Sequence, residues 1–89
     1  FPKYYMKKLK ITLKDANLID QVFEELVSKY SDLSPNTEDG VRIDFNEGWV
    51  HMRKSNTEPI VRIFSESDTQ IKADKIALDI EKEINDLVN

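Results

Sequence analysis

Polar and apolar residues alternate from Tyr5 to Leu13, with Leu9, Ile11 and Leu13 on one side and Lys8, Lys10 and Thr12 on the other. A period of two is the mark of a strand with one buried face. After Lys14 the period lengthens. Leu18, Ile19, Val22, Phe23, Leu26, Val27 and Tyr30 recur at helical spacing, with Asp20, Glu24, Glu25 and Lys29 off the stripe. This predicts an amphipathic helix with Asp15 as its N-cap. Ser31 to Gly40 is polar, contains Pro35 and Asn36, and reads as a loop. Val41 to Lys54 reads as a hairpin with Glu47-Gly48 as the best two-residue turn, although Asn46-Glu47-Gly48 allows a longer one. The two-residue turn would set Phe45 opposite Val50, Ile43 opposite Met52 and Val41 opposite Lys54. Val41, Ile43, Phe45, Val50 and Met52 then share one face, and Arg42, Asp44, Trp49, His51 and Arg53 the other. Ile60 to Ser65 predicts a further strand, with Val61 and Ile63 on the apolar face and Ile60, Arg62 and Phe64 on the polar one. Ser67-Asp68-Thr69-Gln70 fits a capping box with Ser67 as N-cap. Ala73, Ile76, Ala77, Ile80, Ile84, Leu87 and Val88 then trace a second helical stripe. The order β-α-β-β-β-α predicts an α+β domain: an antiparallel four-stranded sheet with both helices on its apolar face.

Length and composition narrow the setting. At 89 residues the chain holds one small domain, which buries roughly two-thirds of its unfolded surface. Residues 1–8 read as a linker from a preceding domain and 9–89 as the domain itself. An opening Phe1 in place of methionine leads us to expect a piece of a longer polypeptide. Cysteine is absent, which removes disulfides and thiolate metal sites. The formal charge of −4 argues against a broad nucleic-acid footprint but leaves room for a local basic site. No apolar run approaches the ~18 residues of a membrane span, and no signal peptide is recognisable, so a cytoplasmic location is expected.

The densest chemistry lies in Arg53-Lys54-Ser55-Asn56-Thr57-Glu58-Pro59, between two strand-like runs. Arg53 offers a planar fork of donors, Lys54 a mobile charge, Ser55 and Thr57 hydroxyls, and Asn56 an amide. Pro59 fixes φ and gives the loop a defined exit. The set suits an oxyanion, and it equally suits an ordinary turn with a basic edge. Arg62 falls on the same sheet face as Arg53. Two guanidinium groups beside such a loop would grip a phosphate, or else pair with Asp44 or Glu66. Glu58 is expected to turn away from an anion, towards a nearby arginine. His51, the one histidine, would lie beside Asp44 across the hairpin, but no nucleophile is placed near it, so a structural role is favoured. Ser55 lacks a neighbouring base and the glycines of a nucleophile elbow. No metal-ligand spacing and no Walker-type phosphate cradle are present. No catalytic residue and no metal ligand is therefore assigned to the chain.

Arg53-Lys54-Ser55-Asn56-Thr57-Glu58-Pro59 with Ile60-Val61-Arg62-Ile63 resembles the phosphate-binding loop of the α-D-phosphohexomutases, in their fourth, C-terminal domain. Asp39-Gly40-Val41-Arg42-Ile43-Asp44-Phe45, Gly48-Trp49-Val50-His51-Met52 and Ser65-Glu66-Ser67 resemble the same domain, and the similarity runs from about Lys3 to the end. The resemblance implies a TATA-box-binding-protein-like fold. It also implies a part in an enzyme that interconverts hexose 6-phosphate and hexose 1-phosphate through a bisphosphate that reorients between two transfers. In such an enzyme Mg²⁺ and the phosphoserine belong to earlier domains, so Mg²⁺ and hexose 1,6-bisphosphate are implied for the full-length protein and not for this chain. The fourth domain would hold the phosphate that is not reacting. Carried over by position, Arg53, Ser55, Asn56 and Thr57 are the phosphate contacts, Lys54 stands next to them, and Arg62 is a direct or supporting contact. Implied partners are the sugar phosphate and the other domains of the polypeptide. Asn56, where many relatives carry glycine, leans towards the phosphomannomutase/phosphoglucomutase branch, with phosphoglucosamine mutase as the runner-up. Two other classes stay open: a stand-alone module for phosphorylated small molecules, and an RNA-binding sheet using Trp49 and Phe64 as stacking surfaces.

Overall fold

The computed structural model describes residues 3–88. Strand β1 spans Tyr5–Thr12 and helix α1 Asn17–Lys29; β2 (Val41–Phe45), β3 (Gly48–Lys54), β4 (Ile60–Ser67) and α2 (Gln70–Val88) follow. The sheet is antiparallel with spatial order β1-β4-β3-β2. Phe1 and Pro2 lie outside the described residues, whereas Tyr5–Lys8, read from sequence as part of a linker, pair with Phe64–Ser67.

Both helices cover one face of the sheet. Ile11, Val41, Ile43, Val50, Met52, Val61 and Ile63 point into the core from the strands. Ile19, Val22 and Leu26 of α1 meet them, as do Ala73, Ile76, Ala77, Ile80 and Ile84 of α2. The apolar face expected of the hairpin is the face that is buried. Its register differs from expectation by two residues: Val41 pairs with Met52, Ile43 with Val50 and Phe45 with Gly48, so the turn is Asn46-Glu47. A shift of two leaves every side chain on its expected face. Gly48 does not supply a left-handed turn residue. It lies between Phe45 and Ser67 of the flanking strands, and a Cβ there would come within 2.1 Å of the Glu66 carbonyl oxygen. Its lack of a side chain permits close approach of β3 and β4.

The helix ends also depart from expectation in part. Asp15 is not the N-cap: that position is Ala16, which has no side-chain cap, and the Asp15 carboxylate one residue earlier accepts the Asn17 amide at 2.8 Å in a side-chain turn that leads into α1. The capping box on Ser67 does not form. Ser67 is the last residue of β4 and its hydroxyl donates to the Glu47 carbonyl. Thr69 caps α2 instead, accepting the Lys72 amide at 3.2 Å. Gln70 reaches the Met6 carbonyl at 3.1 Å and Asp74 at 2.8 Å, tying the start of α2 to β1. Buried Ser65 donates to the Ala73 carbonyl at 2.6 Å, and the two helices are joined by Glu83, which accepts from the Tyr30 hydroxyl at 2.7 Å and pairs with Lys29.

Gly48→Ala is expected to lower stability by about 2 kcal/mol or more, because the obstacle is backbone; a urea melt compared with Glu47→Ala measures it. Tyr30 is expected to mark the alkaline limit of stability. Burial, then the Glu83 carboxylate, raises its pKa in the folded state, while the unfolded chain releases the proton near pH ~10. The contribution is thus whole below that pH and is lost as pH climbs past it. The stability gap between wild type and Tyr30→Phe should narrow above about pH 10, as followed by melts across that range.

Candidate functional site

The open face of the sheet, away from the helices, carries the arginines. Arg53 and Arg62 are direct cross-strand partners in β3 and β4, and both are exposed. Cβ atoms of such partners lie about 4.5–5.5 Å apart, and like charges placed there repel. Neighbouring β1 brings Lys10 opposite Arg62 and Lys8 opposite Phe64. The four strands contain only two carboxylates, Asp44 and Glu66. The chain is acidic as a whole, yet this face is predominantly basic.

Residues 55–59 close the β3–β4 hairpin at one end of that face. The Ser55 amide donates to the Ile60 carbonyl at 3.0 Å, and the Ile60 amide to the Glu58 carbonyl at 2.8 Å. The Pro59 carbonyl, in turn, accepts the Leu13 amide at 2.7 Å, which fixes the end of β1 against the loop. Inside the loop the Ser55 hydroxyl accepts the Thr57 amide at 3.4 Å, a small side-chain turn. Ser55 is half-buried, while Asn56, Thr57 and Glu58 are exposed. The structure therefore brings Arg53, Arg62, Ser55, Asn56 and Thr57 to one rim.

Lys54 does not join them. Alternation sends it to the helix side, where its ammonium sits 3.0 Å from Asp20 of α1. Glu58 pairs with no arginine among the described residues. Arg53 approaches Asp39 at 3.3 Å, both side chains exposed. Such a pair is worth roughly 0–1 kcal/mol, so an incoming dianion can displace it. The pairings with Asp44 or Glu66 that sequence left open are not made. Asp44 is taken by Arg42 at 3.2 Å, whose guanidinium also lies 4.6 Å from the centre of the Trp49 ring. One face of that ring is thus already covered, which removes it from an open stacking platform. The expected His51–Asp44 pair is absent as well. The corrected register sets His51 opposite Arg42, and its Nε2 donates to the Asp39 carbonyl at 2.6 Å. His51 therefore braces the Asp39-Gly40 turn. Gly40 is required there: its φ is +68° and a Cβ would meet the Met52 carbonyl oxygen at 2.1 Å.

A hollow of about 200 Å³ lined by Tyr30, Phe45, Ile76 and Ile80 lies between the β2–β3 turn and α2, remote from the loop. The loop itself stands on an open rim, where a ligand held by it alone stays largely solvated. Among the described residues no three His, Asp or Glu side chains gather as a metal ion would need, and no helix is long and apolar enough to cross a membrane.

The family model for the phosphoglucomutase/phosphomannomutase C-terminal domain matches residues 6–83. The chain belongs to that family. It is 35% identical over 83 residues to a phosphoglucosamine/phosphogalactosamine mutase of Sulfurisphaera tokodaii, a match covering 91% of the chain and 18% of that protein. It is 44% identical over 73 residues to a phosphoglucomutase/phosphomannomutase of Thermococcus kodakarensis, covering 81% of the chain and 16% of the relative. A phosphopentomutase of the same organism is 33% identical over 81 residues, covering 84% of the chain and 18% of the relative. The chain thus spans less than a fifth of the length of these relatives.

Sequence reasoning missed Lys8 and Lys10 as neighbours of the arginines. Their alternation was visible, but the adjacency of β1 and β4 is not a local property. With Arg62 flanked by two cations, Arg62→Gln is expected to stabilise the chain by about 0.5 kcal/mol at low salt. That gain should fade towards 1 M salt, where the Debye length is ~3 Å; thermal melts at both salt levels measure it.

Proposed function

We propose that this chain is the C-terminal domain of a longer sugar-phosphate mutase and that its β3–β4 rim grips the phosphate that is not reacting. The observation that carries the reading is the cross-strand pairing of Arg53 with Arg62 beside the Ser55–Thr57 loop. Two arginines at directly opposed strand positions repel, a dianion relieves that repulsion, and each arginine can give it charge-assisted hydrogen bonds. Arg53 is the primary contact, the Ser55 and Thr57 hydroxyls and the Asn56 amide complete the grip, and Arg62 supports it. Lys54 faces the helix side, where it meets Asp20, and stays outside the grip.

In this reading the chemistry belongs to the rest of the polypeptide. Both the metal and the phosphoryl donor would then be held on other domains of the same polypeptide. The open rim fits a site completed by a second wall. Gripping a remote phosphate helps position the reacting end and favours closure of a cleft. Reopening would let a bisphosphate turn round between transfers. A charge-and-hydrogen-bond grip reads phosphate rather than sugar. That accords with relatives named for hexosamine, hexose and pentose phosphates. Hexose phosphates, through interconversion of the 1- and 6-phosphates, are the substrates proposed here.

Arg53→Ala in the full-length protein is expected to raise KM and to lower kcat/KM for glucose 1-phosphate or mannose 1-phosphate by about ten- to a hundredfold, the range for a lost charged hydrogen-bond donor. Steady-state kinetics decides it, and an unchanged kcat/KM would overturn the assignment.

A further inference from the structure

The row of cations does not end at β3 and β4. Lys10 lies directly opposite Arg62 on β1, and Arg62 directly opposite Arg53 on β3. The three cations form one row across the open face, at the end of the sheet that carries the loop. Thr12, next on the same face of β1, sits opposite Ile60 at the loop's exit. The bond from the Leu13 amide to the Pro59 carbonyl prevents this end of β1 from drifting away from the loop. Among the described residues one carboxylate pairs with the row: Asp39, which meets Arg53 at the outer end. Among the described residues neither Lys10 nor Arg62 makes an ion pair.

A row of like charges on adjacent strands opposes folding. β1 could meet the needs of the sheet with a neutral residue at position 10, since that side chain is exposed and fills no space in the core. What the lysine adds is a third positive charge on the side of Arg62 away from Arg53. Its four-carbon stem and mobile ammonium can follow a phosphate over several ångströms, which a guanidinium fixed between two neighbours cannot do.

We propose that Lys10 is a third cationic contact for the phosphate monoester held at the β3–β4 rim, so that the site spans three strands. The inference rests on the phosphate-gripping reading above and extends it to a residue outside the loop. Lys10 is then the adjustable member of the grip, suited to a phosphate presented from different ends of a sugar.

The test follows binding of inorganic phosphate and of glucose 1-phosphate to the 89-residue chain through the amide resonances of Asn56, Thr57 and Arg62, at constant ionic strength. Lys10→Ala is expected to weaken binding about three- to tenfold, the scale of one charge-assisted contact at a partly solvated site. Lys10→Arg should restore most of it, and Lys82→Ala, on α2 behind the sheet, should leave it unchanged. The melting temperature of Lys10→Ala at low salt should equal or exceed that of wild type, because a repelling neighbour is removed; a purely structural lysine would give a lower one. If Lys10→Ala binds as wild type does while Arg53→Ala loses binding, the loop site stands and the role of Lys10 is overturned. If Lys82→Ala weakens binding as much as Lys10→Ala does, general charge attraction explains the effect and the proposal fails. If the wild-type chain binds neither probe at the rim, this inference and the phosphate reading fall together.

Discussion

Arg53 and Arg62 face each other across β3 and β4, and much of the molecule can be read from that juxtaposition. The β3–β4 register sets the two arginines directly opposite each other. The register is in turn fixed by burial of Val50, Met52, Val61 and Ile63 under the helices. A slip of one residue would turn all four outward, so the core, not the charges, holds the arginines in place. The repulsion is a modest local cost set against the whole hydrophobic layer. Gly48 contributes from the far end of β3, where a Cβ would push the two strands apart.

The two sides of the sheet divide the work. Acidic side chains are concentrated on the helices and loops, and the strands keep only Asp44 and Glu66. One of these is occupied by Arg42. The Asp39-Gly40 turn, braced by His51, lends Arg53 a weak carboxylate partner on the surface. A displaceable partner keeps the guanidinium on the open face without committing it. The loop is hydrogen-bonded at both ends, through Ser55 with Ile60 and Pro59 with Leu13, while Asn56 and Thr57 are exposed between them.

Much of this was legible in the sequence because burial writes a period into it. The element order, the core face of the β2–β3 hairpin, Val61 and Ile63 of β4 and most of the α1 and α2 stripes could be read from spacing; Ile60, expected beside Arg62 on the polar face, is buried, and Leu87, expected in the α2 stripe, is exposed. The hairpin register could not be fixed, because a shift of two preserves both faces, and Gly48 attracted the turn although it serves close approach. Ser67-Asp68-Thr69-Gln70 satisfied the capping pattern, yet β4 runs through Ser67 and moves the cap to Thr69. Lys54 is a different case. The same alternation that placed Arg53 outward placed Lys54 with the helices, and only its position next to the loop suggested otherwise. Lys10 escaped notice because strand order across a sheet is a long-range property that local periodicity does not record.

The most direct test of the account is a structure of the 89-residue chain determined with glucose 1-phosphate bound at saturation. The account expects the phosphoryl group within hydrogen-bonding reach of Arg53 and the Ser55 and Thr57 hydroxyls, with the Arg53–Asp39 pair opened. A phosphate seated elsewhere, with Arg53 still against Asp39, would contradict it.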